Sequence, residues 1–433
     1  MNLSCLKTVY EKIPYIVKKP FSRMLRYSLI GNRQFVDTYN WLMNVKGWNQ
    51  ERIKIEQFKL CKEVVIHAYE HTKYYKELFD SVCFDPYKIS SIEDISSVPV
   101  LTKQILNERF EDLIADDIKD GYLVTTGGTS GEPTKVMMAN NAYYIEWAFV
   151  YNFWKEFGYR TDTSKLATFR GINLGKKLYE INPIYREIRM NLFSMRRSNI
   201  EKYVQAIKEY GAEFIYGYPS AIYNFCKLSQ DAGIRVEKLF SAAFLISENL
   251  YTFQEETITK VLCCPIGMFY GHSERAVFGE KIEEGYVFNP MYGVTELGED
   301  GDIIATGFIN KMMPLIRYKV DDKAKEIHGK YTIEGHHNCD LLHGRNGEEI
   351  SAAAINFHDK TFDKISGYQF VQEKDGECLL LINPKERMNS DEVNKVLQSV
   401  RKKLGDSIMC EVQVVDRINL SDRGKYKLII RKK

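Results

Sequence analysis

The sequence predicts an α/β protein that has a large N-terminal domain with mixed sheets and helices and a small α+β C-terminal domain. Between about residues 143 and 270, helical periods alternate with short apolar strands, which is typical of βα units and a largely parallel sheet. From Gly285 to Glu334, short β-branched and aromatic runs separated by glycine turns indicate antiparallel strands. Beyond Gly335, helices, a hairpin and a strand indicate the small domain.

The individual elements follow from local patterns. Residues 51–79 carry helical periodicity, which predicts a helical approach segment. The alternating region predicts helices over 143–157, 200–210 and 251–261 and one from Ser220, with strands over 166–169, 213–216, 240–246 and 267–270. The C-terminal region predicts a helix over 352–358, a hairpin turn over 374–376, a helix over 390–404 and a strand over 410–416. Ser390 is the predicted N-cap of the long helix, because acidic residues follow it.

The composition indicates a globular protein and excludes few functions. A chain of 433 residues with 44% hydrophobic content can form a packed core. Sixty basic residues against 58 acidic ones give a net charge of +2, so we expect no nucleic-acid partner. Nine cysteines without paired CxxC spacing predict reduced thiols, and hence a cytoplasmic protein.

The N-terminal segment raises the question of a membrane contact. No apolar run reaches the roughly 20 residues that a transmembrane helix needs. Residues 16–30, however, combine apolar and aromatic side chains with four basic ones, a pattern that allows peripheral contact with a membrane surface. An ordinary amphipathic helix that covers the core is the favoured alternative.

The stretch from Tyr122 to Thr134 reads YLVTTGGTSGEPT, in which a strand-like run opens into glycines and hydroxyl side chains. Glycines permit a close approach of the backbone to a ligand, and hydroxyls add donors beside the backbone N–H groups. The pattern predicts a phosphate-binding loop, although its spacing departs from the Walker pattern. A polar turn between a strand and a helix is the alternative. The residues assigned to the loop are Thr126, Gly127, Gly128, Thr129, Ser130, Gly131 and Thr134.

Further motifs follow this loop in a set order. They are Ser247-Glu248, Tyr270-Gly-His-Ser-Glu274, Pro314-Leu-Ile-Arg-Tyr-Lys-Val-Asp-Asp322 and Gly424-Lys425. With them the chain resembles the adenylate-forming superfamily, and within it the phenylacetate-CoA ligase-like branch that includes the CapK-type proteins encoded with capsular polysaccharide genes. The resemblance covers nearly the whole length, because segments 67–79 and 99–103 also look like the entry segment of that branch.

The resemblance implies an AMP-forming ligase that uses ATP and Mg²⁺. A small-molecule carboxylate would attack ATP to give an acyl-adenylate and pyrophosphate, and an acceptor would then displace AMP. The acceptor is left open between the thiol of CoA, an amine and a carrier, and the favoured context is capsular or surface polysaccharide biosynthesis. Residues 1–335 would form the adenylation domain, with 1–115 as its helical entry segment, and 336–433 a mobile lid.

The resemblance also assigns roles to residues. Lys425 would stabilise the adenylation transition state, and His272 would reach the substrate carboxylate or the adenylate; a basic tail and a packed neutral histidine are their alternatives. Glu274 would hold Mg²⁺, and Asp322 would accept hydrogen bonds from the ribose hydroxyls. The phosphate loop would restrain the leaving pyrophosphate. The remaining nucleotide-binding candidates are Ser241, Ala242, Tyr270, Gly271, Ser273 and His336.

Some positions depart from the family pattern or admit two interpretations. His336 stands where the family usually places a hinge arginine, if Gly335-His336 rather than Gly344-Arg345 is the hinge. Tyr292-Gly-Val-Thr-Glu296 imitates the magnesium motif, but its order along the chain favours Glu274 and makes Glu296 a strand residue. His336, His337, Cys339 and His343 could bind a metal, although their irregular spacing favours a solvated loop.

Two rival functions remain open at the level of sequence. One is an AMP transferase that acts on a cofactor hydroxyl, as in the related coenzyme F390 synthetases. The other is a non-catalytic nucleotide-binding scaffold in polysaccharide assembly, which His336 and the unusual Asp321 beside Asp322 favour.

Overall fold

The computed structural model describes residues 26, 29–125, 134–172, 174–248, 250, 252–282, 285–334, 341–351, 355, 361–416, 418–419 and 428–431. Several predictions concern residues outside this set. They are the phosphate loop over 126–133, His336, His337, Cys339, Lys425, the helix over 352–358 apart from residue 355, and most of the segment 16–30.

The α-helices of the described residues are α1 (Arg33–Val45), α2 (Gln50–His71), α3 (Lys73–Ser81), α4 (Lys103–Glu108), α5 (Asn140–Lys155), α6 (Ile200–Tyr210), α7 (Pro219–Asp231), α8 (Thr252–Leu262) and α9 (Ser390–Leu404). The first ten strands are β1 (Gly121–Thr125), β2 (Lys135–Ala139), β3 (Leu166–Phe169), β4 (Tyr179–Asn182), β5 (Glu187–Met190), β6 (Phe214–Gly217), β7 (Ala242–Leu245), β8 (Ile266–Gly271), β9 (Phe278–Ile282) and β10 (Gly285–Phe288). The others are β11 (Gly293–Leu297), β12 (Asp302–Gly307), β13 (Tyr318–Ile327), β14 (Lys330–Glu334), β15 (Leu341–His343), β16 (Glu349–Ser351), β17 (Ile365–Lys374), β18 (Glu377–Pro384), β19 (Met409–Val414) and β20 (Ile429–Arg431).

The described residues fall into two compact units. The first comprises residues up to 125, 134–162 and 268–334, and the second comprises 163–267 and 341–431. The predicted α/β class is confirmed, because helices accompany a parallel sheet in the second unit and antiparallel strands fill the first. The proposed lid that begins at residue 336 stays a prediction. Among the described residues, no helix is both long and apolar enough to cross a membrane.

The first unit contains an antiparallel sheet with the strand order β11-β12-β13-β14-β10-β9, and β1 and β2 form a separate hairpin. Its core joins side chains of α2 and α3, such as Val65 and Phe79, to Ile316 and Tyr318 beside the sheet. The buried Tyr75 hydroxyl accepts a hydrogen bond of 2.9 Å from the Ile316 N–H. This packing fixes the start of β13, which carries the predicted ribose-binding Asp322.

Two backbone hydrogen bonds hold the segment before α4 against the start of β13. The backbone N–H of Lys319 donates to the carbonyl of Leu101 at 3.0 Å, and the N–H of Leu101 donates to the carbonyl of Arg317 at 3.0 Å. Because α4 begins two residues after Leu101, its first residue, Lys103, lies beside β13.

The second unit contains a parallel arrangement of β7, β6, β3 and β5, with β4 antiparallel at the edge. In this register Phe169 lies opposite Gly217, and Gly217 lies opposite Leu245. A Cβ atom at Gly217 would lie 2.0 Å from the Phe169 carbonyl oxygen, so only glycine fits this close approach. The carboxyl ends of three parallel strands consequently lie at one edge, which is where open α/β sheets bind ligands.

The C-terminal part of the second unit has a sheet with the order β19-β18-β17-β20, and α9 packs on it. Val396, Val400 and Leu404 form the buried face of α9. The helix begins as predicted, but its N-cap is Asn389 and not Ser390. Asn389 accepts a hydrogen bond from the Glu392 N–H at 3.0 Å, and Glu392 accepts one from the Asn389 N–H at 3.0 Å. The prediction of Ser390 was wrong because this reciprocal capping box requires a three-residue spacing to Glu392.

This cap gives a test of the local fold. We expect Asn389→Ala to destabilise the first turn of α9 by about 1 kcal/mol, because it leaves the N–H of Glu392 without its acceptor. Amide hydrogen exchange of peptides that cover α9 should accelerate about fivefold for such a change. The matched variant Ser390→Ala should leave the exchange rate unchanged. Faster exchange in Ser390→Ala alone would contradict the assignment.

Candidate active site

The predicted magnesium ligand, Glu274, lies in the turn that follows β8. The strand ends at Gly271, and the N–H of Arg275 donates to the carbonyl of His272 at 3.0 Å, which closes the turn. Arg275 adopts a φ of 55°, in the left-handed region that side chains rarely occupy. This turn directs Glu274 inward, where the residue is only 5% exposed, while the preceding Gly271 and Ser273 stay exposed.

The Glu274 carboxylate has a partner for each oxygen. The Tyr318 hydroxyl donates to Oε1 at 3.1 Å, and Nδ1 of His272 lies 3.1 Å from Oε2. Burial alone would raise the pKa of Glu274, but His272 and Lys103 outweigh it and lower the pKa to about 2. The carboxylate is therefore ionised at neutral pH. A single ionised carboxylate fits Mg²⁺, which proteins hold through one or two carboxylates together with substrate phosphates and water.

His272 has two features that are expected of a general acid or base, namely an enclosed side chain and a ring nitrogen that a ligand can reach. Its side chain is 15% exposed, so it is mostly enclosed. Its contact with Glu274 is electrostatic, since within the described part of the chain neither of its ring nitrogens makes a hydrogen bond of good geometry. His272 therefore has a ring nitrogen available to a ligand. Its predicted contact with the substrate stays a prediction.

The Asp321-Asp322 pair at the start of β13 has two different partners. Asp322 accepts a hydrogen bond of 2.8 Å from the Tyr270 hydroxyl, and Asp321 forms an ion pair with Lys103. Burial, followed by the charge of Asp322, raises the pKa of Tyr270 well above its ordinary value, so the phenol remains a donor. The unusual Asp321 thus has a structural partner. The predicted contact of Asp322 with the ribose stays a prediction.

Tyr318 connects this pair to Glu274 and to the end of the phosphate loop. Burial and the charge of Glu274 raise the pKa of Tyr318, while the hydroxyl of the fully buried Thr134 acts in the opposite direction. Tyr318 is itself fully buried. The structure therefore brings together Thr134, Tyr270, Glu274 and Asp322 of the predicted residues, with His272 beside them.

Side chains outside the group around Glu274 also hold this turn in place. Arg275 donates to the Tyr122 hydroxyl at 2.8 Å, and its charge acts on Glu146, which accepts a hydrogen bond from the Tyr292 hydroxyl. Burial raises the pKa of Glu146, whereas Arg275 and Tyr292 oppose that rise. Glu146 belongs to α5 and Tyr122 to β1, so side chains from two distant segments hold the residue next to Glu274.

Sequence reasoning missed the parts that Lys103, Tyr318 and Glu146 play. Lys103 and Tyr318 both lie inside motifs that the sequence singled out, and a buried cationic or phenolic residue in such a motif is the signal that could have found them. Glu146 lies in an aromatic helix and gives no comparable signal. The competing candidate Glu296 lies in β11 as predicted, where its carboxylate contacts Arg317 at 3.0 Å.

In the second unit, polar residues gather where the parallel strands end. Arg170 follows β3 and donates to the Tyr216 hydroxyl at 3.4 Å. Glu248 follows β7, and its carboxylate accepts a hydrogen bond of 3.1 Å from the N–H of Ser220, in the first turn of α7. Glu248 thereby neutralises a positive helix terminus. Ser241 and Ala242 lie at the opposite, amino end of β7, and their role in nucleotide binding stays a prediction.

The second unit also contains an open cleft of about 720 Å³. Four cationic side chains line it, namely Lys176, Arg196, Arg401 and Lys402. Its two acidic residues differ in exposure to solvent. Glu348 is 2% exposed and accepts a hydrogen bond from the Asn346 N–H, whereas Asp406 is exposed. The cleft, which we call the basic cleft, therefore presents net positive charge to solvent, as a site for a polyanion requires.

Comparison with known proteins finds chains that are similar in sequence and in fold. Residues 342–432 match the family model of the CapK C-terminal domain. Protein CapK of Staphylococcus aureus is 23% identical over 390 residues, which cover 83% of this chain and 85% of that protein. A 2-hydroxyisobutyryl-CoA ligase structure in complex with 2-HIB-AMP and CoA is 17% identical, with a TM-score of 0.55, and the match covers 89% of this chain and 90% of that one.

A second structure of that ligase, in the postadenylation state in complex with R3-HIB-AMP, has a TM-score of 0.54 and 16% identity. The match covers 89% of this chain and 91% of that chain. These likenesses confirm the predicted fold, and together with the CapK matches they confirm the resemblance on which the sequence assignments rested.

The lowered pKa of Glu274 makes a pH prediction. Its carboxylate contributes stability above the ordinary pKa of 4.5, and this contribution is lost as the pH falls through about 2. We therefore expect the difference in thermal midpoint between the wild type and Glu274→Gln to be constant from pH 7 to 5 and to shrink below pH 4.5. Differential scanning fluorimetry across this range measures it. A difference that grows with acidity would contradict the assignment.

Proposed function

We propose that the protein is an AMP-forming ligase that activates a carboxylate with ATP, because residues 342–432 match the CapK C-terminal domain model and the chain shares the fold of a 2-hydroxyisobutyryl-CoA ligase. The observation that carries the proposal is the buried, ionised Glu274 next to Asp322, Tyr270 and Thr134. This combination supplies one metal-binding carboxylate and one ribose-binding carboxylate within a single unit.

The chemistry divides into two half-reactions. In the first, a carboxylate oxygen of the substrate forms a bond to the α-phosphorus of ATP, and the bond from that phosphorus to pyrophosphate breaks. In the second, a thiol or amine forms a bond to the acyl carbon, AMP leaves, and the nucleophile loses its proton. Bound Mg²⁺ would neutralise phosphate charge during the first step. His272 beside Glu274 supports contact with the carboxylate or the adenylate.

The basic cleft supports a phosphate-bearing acceptor. Its cations come from two separate segments, Lys176 with Arg196 and the last turn of α9 with Arg401, and Arg401 and Lys176 are both exposed. A volume of about 720 Å³ is large enough for a ligand of the size of CoA's nucleotide portion. Both CoA and a nucleotide-activated amino sugar carry a diphosphate, so both remain candidates. The similarity to CapK of Staphylococcus aureus favours a role in capsular polysaccharide biosynthesis.

Adenylation gives the first test. We expect carboxylate-dependent pyrophosphate release from ATP with at least one member of a panel of aryl, fatty, amino and uronic acids. Lys425→Ala should slow this release by about 100-fold or more, since loss of one group that stabilises transition-state charge has that effect. Glu274→Gln should reduce it comparably. Coupled pyrophosphate detection measures both.

Two matched variants serve as controls for adenylation. Lys427→Ala removes a lysine two positions from Lys425, and Glu296→Gln removes the acid of the competing motif. Both should retain activity near the wild-type level. Release by the wild type with none of the acids would refute the ligase, and ATP binding without turnover would instead support a scaffold. A stable adenylylated cofactor would support the AMP transferase.

The acceptor gives a second test. We expect the double variant Lys176→Gln, Arg401→Gln to raise the KM of a phosphate-bearing acceptor about tenfold, because it removes roughly 1.4 kcal/mol of binding. The kcat and the rate of pyrophosphate release should remain unchanged. CoA and a UDP-amino sugar are the two acceptors to compare. Arg197→Gln, an exposed cation outside the cleft lining, is the control. An unchanged KM in the double variant for both acceptors would refute this role of the cleft.

A further inference from the structure

Two histidines of α2 meet an aspartate of a distant loop in the first unit. His67 and His71 are one helical turn apart, and their ring centroids lie 4.8 Å apart. Nε2 of His67 lies 3.9 Å from one carboxylate oxygen of Asp117, and Nε2 of His71 lies 3.9 Å from the other. One ligand atom from each of the three residues, of the kinds that zinc prefers, thus lies within 4.8 Å of the other two.

A backbone oxygen lies at the same point. The carbonyl of Lys311 is 2.9 Å from Nε2 of His67. In the metal-free protein this nitrogen donates its proton to the carbonyl. Once the proton is replaced by a metal ion, the same oxygen can become a fourth ligand. The set then consists of two imidazole nitrogens and two oxygens.

A fourth side chain orients one of the rings. Asp116 accepts a hydrogen bond from Nδ1 of His71 at 3.0 Å. This contact places a ring proton on Nδ1, so Nε2 is the nitrogen that faces Asp117 and that can bind a metal ion after it loses its proton. Metal-binding histidines almost always donate their second nitrogen to a carboxylate or carbonyl in this way. An ordinary surface ion pair does not require the second carboxylate.

The backbone holds the segments that supply these atoms. The N–H of Asp116 donates to the carbonyl of His71 at 3.0 Å, which ties the loop to the end of α2. The N–H of Ala115 donates to the carbonyl of Met312 at 2.8 Å, which ties the same loop to the segment that contains Lys311. The ligand geometry is therefore largely formed before any ion binds, and the loss of conformational entropy on binding is small.

From these contacts we propose that His67, His71, Asp117 and the Lys311 carbonyl form a binding site for a divalent transition metal, and for Zn²⁺ in the first place. Neighbouring ligands of a tetrahedral zinc ion lie roughly 3.4 Å apart. The ligand atoms here all lie within 4.8 Å of one another, so the site closes around an ion with movements of about 1.4 Å or less. Imidazole nitrogens favour zinc over Mg²⁺, which prefers oxygen ligands. The three side chains are 13%, 33% and 38% exposed, so an ion can enter from solution.

The site would act as a clamp. Its ligands come from α2, from the loop before β1 and from the segment after β12, which are distant in sequence. Metal binding would therefore stabilise the packing of the helical entry segment on the sheet of the first unit. It requires no part of the proposed ligase activity, because none of its residues belongs to the group around Glu274.

The experiment is a titration of the full-length, EDTA-treated protein with ZnCl₂ by isothermal titration calorimetry. We expect one site in the wild type and a rise in thermal midpoint when it fills. His71→Ala and Asp117→Asn should each weaken binding by about 100-fold or more, and Asp116→Asn by about 10- to 100-fold. Co²⁺ substitution should give the intense visible absorption of a tetrahedral site in the wild type and not in His71→Ala.

Two controls locate the ion. His328→Ala removes an exposed histidine outside the cluster and should bind zinc like the wild type. His343→Ala tests the separate group of histidines and a cysteine over 336–343 and should also bind like the wild type. Far-UV circular dichroism checks that each variant is folded. The proposal is overturned if the wild type binds no zinc, or if binding survives in both His71→Ala and Asp117→Asn.

Discussion

The first unit depends on the negative charge of Glu274 in a buried position. Burial opposes ionisation, and the charge persists because His272, Lys103 and Tyr318 surround the carboxylate. These neighbours come from the turn after β8, from the start of α4 and from the start of β13. Each segment must therefore be in place before the charge is stabilised, so the local fold and the electrostatics are formed together.

The two units differ in the sign of the charge that they would present to a phosphate group. The group around Glu274 and Asp322 is acidic, so it attracts phosphates only when a cation such as Mg²⁺ lies between them. The basic cleft attracts phosphates directly through exposed cations such as Arg401. Under the proposed function the chain would bind ATP and its acceptor by different physical means, and a divalent metal would affect only the binding of ATP. This division suits an enzyme that uses ATP and a separate acceptor.

Local sequence patterns predicted the helices and strands well, but they did not predict contacts between residues that are far apart in the sequence. The strand Leu166–Phe169 and the helix Ile200–Tyr210 have the predicted bounds, since burial periodicity and turn residues determine both. Glu274 and Asp322 were assigned as site residues from sequence motifs, and their roles stay predictions. The ion pair of Lys103 with Asp321, by contrast, joins positions 218 residues apart, and no periodicity reports such a pairing. The Asn389 cap was missed because two adjacent residues could both serve, and only the reciprocal bond to Glu392 distinguishes them.

The left-handed backbone of Arg275 has a consequence for how this protein can change by mutation. Glycine is the residue that such a φ favours, so relief of strain at this position would select for it. Glycine there would also leave Glu146 without its cation and the Tyr122 hydroxyl without its donor. A glycine at position 275 is therefore expected to be tolerated best together with a change at Glu146. Laboratory evolution for thermostability should accordingly find substitutions at these two positions as a pair.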